Sequence, residues 1–198
     1  MKRYVIKKAQ GSLDAIDWEA ADKAMLDEMP WRDFPCPYET TAQLMYTEAS
    51  LLVHLSTTET KLRAHNTEPN SEVAEDSCME FFLSPNENDS RYLNFEINAI
   101  GTLLLFLCNG RGHYTRIDFD EKAFNIKTVI TKNGWELFYE IPFSFLTEHF
   151  AGISKTMHGN FYKCGKKTIQ RHYACWNKIN LPEPEFHCPQ FFGALIFE

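Results

Sequence analysis

Two glutamates, two asparagines and a few aromatic rings carry the chemistry open to this chain. Glu80 lies in Cys78-Met79-Glu80-Phe81-Phe82-Leu83, and Asn94, Glu96 and Asn98 lie in Tyr92-Leu93-Asn94-Phe95-Glu96-Ile97-Asn98. Both segments alternate with period two, the mark of strands that turn one face to a core. If they form a hairpin, Met79, Phe81 and Leu83 share the core face with Leu93, Phe95 and Ile97, because a one-residue slip would bury the carboxylates. Glu80, Asn94, Glu96 and Asn98 then emerge together on the opposite, outer face. Further along, Trp176 stands among His172, Tyr173 and Asn177 in loop-rich sequence. An aromatic face packs against the C–H side of a sugar, while amides and carboxylates bind its hydroxyls. The residues therefore offer a site for a flat, hydroxyl-rich ligand such as a sugar. Trp176 is expected as the platform, Tyr173 and Tyr92 frame it, and the four polar strand residues take hydroxyls.

Other chemistries use overlapping residues. Glu80 and Glu96 would suit a retaining glycosidase if their carboxyl groups lay about 5–5.5 Å apart. No deep-pocket signature supports that enzyme reading, and no Gly-x-Ser-x-Gly elbow offers a nucleophile. Cys164, His172, Cys175, His187 and Cys188 include one zinc-like spacing, His172-x-x-Cys175, but zinc sites usually show two such pairs. The run Asn86-Glu87-Asn88-Asp89 offers oxygen donors, and Asn86, Asn88 and Asp89 are the candidate calcium ligands. Protein interaction by a sandwich without sugar binding is the remaining alternative. An exposed apolar patch would mark it.

The elements that must position these residues read mostly as strands. The chain has 198 residues, the size of one domain, with 14% aromatics, including sixteen Phe. Such rings favour strands and fill the gap between packed sheets. Strands are expected over 42–47, 51–57, 78–83, 92–98, 102–108, 114–119, 126–131, 135–141, 158–164, 171–176 and 193–198. Lys132-Asn133-Gly134 marks a tight hairpin, with Asn-Gly supplying the positive φ angles it needs. Asp17 is placed to cap a short N-terminal helix carrying Trp18, Ala21, Ala24 and Met25, ended by Pro30. A second helical turn should begin at Pro142. The fold class is all-β: an antiparallel β-sandwich with a short N-terminal helix and long connecting loops.

The net charge of −7, with no basic cluster beyond Lys166-Lys167, makes nucleic acid a poor partner. The longest apolar runs are far too short to span a membrane as a helix. No apolar segment follows the basic N-terminus, so no secretory signal is read. The six cysteines are scattered and read as free thiols. A cytoplasmic, reducing setting is the expectation, with no cofactor required.

The order and spacing of several stretches resemble a family 9 carbohydrate-binding module, in its family-9-like branch. They are Glu75-Asp76-Ser77-Cys78-Met79-Glu80, Tyr92 to Gly101, Trp135-Glu136 with Glu140-Ile141-Pro142-Phe143, Asn160 to Gly165, His172 to Asn177, and Pro189 to Gly193. The resemblance implies a non-catalytic β-sandwich that binds sugar chain ends, often with structural calcium. It also implies two Trp rings around a sugar and a Glu in an Asp-Ser-x-x-Glu motif. Glu80 and Asn98 match the polar set, and Trp176 matches one ring. Three positions depart from the pattern. No aromatic stands near Ala74, where the other ring is expected; Glu96 replaces an Arg; and Lys166 replaces an acidic residue. Either Tyr46, Tyr92 or Tyr114 fills the gap, or the ligand differs.

Overall fold

A computed structural model describes all residues, 1–198. Its strands are β1 (Arg3–Lys8), β2 (Ala24–Met25), β3 (Thr40–Tyr46), β4 (Ser50–Thr57), β5 (Cys78–Ser84), β6 (Tyr92–Asn98) and β7 (Leu103–Cys108). They continue as β8 (Tyr114–Arg116), β9 (Lys127–Thr131), β10 (Gly134–Pro142), β11 (Thr156–Gly165), β12 (His172–Cys175) and β13 (Gly193–Phe197). The α-helix α1 (Phe143–His149) follows Pro142, whose ring pre-sets the entry angle. The hydrogen-bonded order runs β8-β7-β6-β5-β11-β13-β1-β3-β4-β10-β9, with β12 on β11 and β2 on β3.

This path folds over at β1. Arg3–Ile6 pair with β13, then Lys7–Lys8 pair with β3, so one strand belongs to both leaves of the sandwich. These two pairings are parallel and the others antiparallel, which qualifies the expected all-antiparallel sandwich. β1 was not among the expected strands. Its signal is only Tyr4 and Ile6, both buried, set between exposed or polar neighbours.

The expected N-terminal helix does not form. Asp17 does cap, accepting the Glu19 N–H, but only a single 3₁₀ turn follows over Trp18–Ala20. Ala24–Met25 then pair with β3 as an edge strand. Tertiary pairing outweighs the weak helical spacing. The hairpin at Lys132-Asn133-Gly134 is present, but Asn133 does not adopt a positive φ. Gly134 does, at 147°, and a Cβ there would lie 2.0 Å from the Thr57 carbonyl oxygen. Glycine is required by both conformation and space.

The core between the leaves follows the expected parity. Met79, Phe81 and Leu83 meet Leu93, Phe95 and Ile97 inside it. Phe81 stacks on Phe161 of β11 at 4.6 Å. One charged group also points inward. Lys163 of β11 is fully buried, with its ammonium 2.9 Å from the equally buried Glu59. The same ammonium donates to the Cys164 carbonyl (2.9 Å) and to His172 Nε2 (3.0 Å). Its three N–H groups are thereby used. Glu59 in turn accepts from Ser77 Oγ (2.8 Å) and Trp135 Nε1 (3.3 Å). Removing one partner leaves a buried charge uncompensated. Glu59→Leu should therefore lower the unfolding free energy by about 3–5 kcal/mol, and Glu59→Leu with Lys163→Met should recover much of that loss, measured by denaturant titration.

Candidate functional site

The outer faces of β5, β6 and β11 are not a solvated surface. Cys78, Phe82, Tyr92, Tyr162 and Cys164 sit in a second apolar layer under the loops that cross this sheet. A cleft of about 400 Å³ opens at the edge of that layer. Its floor holds Glu80 and Glu96, which face each other across the β5–β6 ladder. β7 and β8 give one wall, with Phe106 and Tyr114. The proline-punctuated crossing gives another through Glu185, Phe186 and His187, and Tyr173 closes the inner side. Glu72 and Lys166 also line the cleft, and both are exposed.

The aromatic groups are held in place. Tyr114 is 40% exposed and packs on His187 at 4.3 Å. Phe106 lies 6.0 Å from Tyr114, and the Arg116 guanidinium covers the Phe106 ring. Phe186 stacks on Tyr162 at 4.1 Å. Glu185 is bound by Arg111 at 2.8 Å and accepts the His187 N–H.

The expected site residues separate into two groups. Glu80, Glu96 and Tyr173 line the cleft. The other four have different places, and each departs from the expected role. Trp176 is 4% exposed and belongs to the inter-sheet core, edge-on to Tyr4 and 5.6 Å from Phe161. A Cβ on Gly193 would lie 2.5 Å from its ring, so the indole is clamped inside rather than offered as a platform. Tyr92 is buried beneath His187 and exchanges a hydrogen bond with it at 2.9 Å. Asn94 donates to Glu96 (2.7 Å) and accepts from the Phe106 N–H (2.7 Å), which fixes the carboxyl without facing the cleft. Asn98 donates to the Asn66 carbonyl and Asp76, and accepts from the Ile100 and Thr102 N–H groups. It ties the β6–β7 turn.

The metal expectations also change. Asp89 is paired with the Arg91 guanidinium at 2.6 Å, while Asn86 bonds the Asn88 N–H and the Gly152 carbonyl. The side-chain oxygens of Asn86 and Asp89 are engaged within the loop. Cys164, His172, Cys175, His187 and Cys188 are not gathered at one point. Cys175 donates to the Glu28 carbonyl and Cys188 to the Glu185 carbonyl. All six cysteines are free and buried. Lys166, Phe106, Glu72, Glu185 and Phe186 escaped the sequence reading as cleft residues, and only a threaded crossing loop brings them together. Tyr114, one of the rings proposed to fill the missing position, does reach the cleft.

Burial sets the electrostatics. It pushes the Glu80 carboxyl well above the usual range, helped by Cys164 and Glu96. It raises Glu96 to about 7, against the Lys166 charge and the Asn94 hydrogen bond, which pull it down. Burial lowers His187 to about 4 and also His172, with Lys163 adding to the latter.

Comparison with known proteins places this geometry. The chain matches the carbohydrate-binding family 9 model over residues 11–197, and it belongs to that family of non-catalytic binding modules. A candidate carbohydrate-binding protein from Bacteroides uniformis is 32% identical, with a TM-score of 0.90 over 100% of this chain and 99% of that one. A family 9 module from Caldicellulosiruptor kristjanssonii bound to cellotriose is 15% identical, with a TM-score of 0.70 over 100% of this chain and 94% of that one. The module from the same organism bound to glucose is also 15% identical, with a TM-score of 0.68 over 100% and 96%. A comparison with curated proteins returned no match. The chain is a binding protein rather than an enzyme.

Two outcomes follow. Trp176→Ala should cost about 3–5 kcal/mol in a urea titration, as a core truncation does. Glu96 has a folded pKa above its unfolded one, so its stabilising protonation is complete below about 4.5 and lost as pH rises through about 7. The histidines act oppositely: their contribution is full above about 6.5 and lost as pH falls toward about 4. Glu96→Gln should therefore raise the urea midpoint at pH 8 and leave it nearly unchanged at pH 5.

Proposed function

We propose that this chain binds the end of a mono- or oligosaccharide in the cleft between Tyr114 and Tyr173. The observation that carries the reading is the direct opposition of Glu80 and Glu96 on a floor walled by aromatic rings. A sugar ring has apolar C–H faces and a polar equator. Exposed Tyr114 with Phe106, and Phe186 across the cleft, would take the faces. Glu96, Glu80 and Lys166 would take hydroxyls, the carboxyl groups accepting, or donating where protonated, and the ammonium donating. Membership of a carbohydrate-binding family supports this assignment, as do the glucose and cellotriose held by the Caldicellulosiruptor modules.

The cleft supplies a different clamp from the one the family resemblance implies. Its rings are Tyr and Phe from β7, β8 and the C-terminal crossing, and the expected Trp is withdrawn into the core. The site is partly open, and every hydroxyl contact trades against water. Affinity in the micromolar to millimolar range is expected. Calorimetric titration with glucose and cellotriose, preceded by a glycan array, tests the reading. Tyr114→Ala should weaken binding about fivefold, the equivalent of about 1 kcal/mol for one stacking ring. A protein that answers to no saccharide on the array, or one whose affinity is untouched by both Tyr114→Ala and Glu96→Gln, would overturn it.

A further inference from the structure

Behind the cleft floor lie two cysteines that sugar binding does not require. Cys78 and Cys164 are direct partners across the β5–β11 ladder, and Glu80 stands two residues from Cys78 on the same face. All three side chains are buried, and their sulfur and oxygen atoms lie within 4.8 Å of one another. Cys164 Sγ donates to Glu80 Oε1 at 2.8 Å. From this arrangement we propose that Cys78, Cys164 and Glu80 bind a zinc-class divalent cation.

The donor types argue for the metal class. Two sulfurs and one carboxylate oxygen suit a borderline-soft ion, whereas calcium and magnesium take oxygen alone. Two neighbouring β-strands hold the three donors on a rigid frame, as a pre-organised site needs. A tetrahedral ion bound by three protein ligands keeps its fourth position for water or another ligand. The charges also balance. Two thiolates and a carboxylate exceed a divalent ion by one negative charge, and Lys166, two residues beyond Cys164, lines the same cleft as Glu80. Lys163 does not oppose the ion, because its ammonium lies on the other side of the strand against Glu59. Among the cysteines singled out for zinc, only Cys164 takes part; its partners come from β5. The metal and saccharide readings share Glu80, and the cobalt spectrum tests the metal site with no saccharide present.

Cobalt(II) alone, added to the chelator-treated 198-residue protein, is the probe. Tetrahedral thiolate ligation should give sulfur-to-metal charge-transfer and intense d–d absorptions that zinc displaces. Cys78→Ser and Cys164→Ser should each abolish the two-thiolate spectrum, and Glu80→Gln should weaken cobalt binding by more than about tenfold while keeping the sulfur band. Cys188→Ser, at a cysteine outside the cluster, should change nothing. Because a cysteine variant in this layer can unfold, X-ray absorption at the zinc edge on the wild-type protein provides a second reading. Two sulfurs at about 2.3 Å would support the site. A zinc shell without sulfur, or a cobalt spectrum that survives both cysteine substitutions in folded protein, would overturn it.

Discussion

The sheet formed by β5, β6 and β11 is covered on both faces, and this constraint governs what its residues can do. In a sheet with one wet face, alternation sorts apolar from polar. Here it sorts two buried sets. Met79, Phe81, Leu93, Phe95 and Phe161 enter the space between the leaves, while Cys78, Phe82, Tyr92, Tyr162 and Cys164 enter the layer beneath the crossing loops. A register slip would exchange the two sets and drive Glu80 and Glu96 into the inter-sheet core. The cleft, the carboxyl pair and the sulfur cluster all follow from this one parity.

Buried charge is handled in two ways on the two faces. Toward the core, Lys163 meets Glu59, and serine, tryptophan, histidine and carbonyl groups complete the network. Within that network the Lys163, Ser77 and Trp135 donors all have partners, as a low-dielectric interior demands. Toward the cleft, Glu80 and Glu96 oppose each other beside Lys166, and burial, the main cause, raises both carboxyls and favours their protonated forms. The first arrangement is a closed structural unit. The second retains unspent hydrogen-bonding capacity, as a recognition surface needs.

Much of this was legible in the chain. Strand expectations at 78–83 and 92–98 rested on unbroken alternation, and these strands lie within a residue of where they were read. Parity put Glu80 on one face with Asn94, Glu96 and Asn98, and the ladder register then sets it opposite Glu96. Parity could not reveal that the outer face is roofed, because the roof is residues 184–187, far along the chain. For the same reason Asn94, Asn98 and Tyr92 were assigned to a ligand when they brace neighbouring groups. Trp176 looked accessible beside polar residues, but Gly193 of β13 makes room for its ring only in the folded core. β1 was missed because two buried side chains in a basic segment make a faint pattern. The helix expected near Asp17 failed because Ala24 and Met25 found a sheet edge to join.

The position of β1 bears on how the chain can fold as it is made. Arg3–Ile6 leave the ribosome well before their ladder partners, Ala194–Phe197. The seam joining the two leaves cannot close until Ala194–Phe197 have emerged, however early each hairpin forms. Nascent sandwiches would then wait with β1 and the free edge of β3 unprotected, the condition under which strand edges attract the wrong company. Contacts spanning nearly the full sequence also favour slow final closure over rapid local assembly.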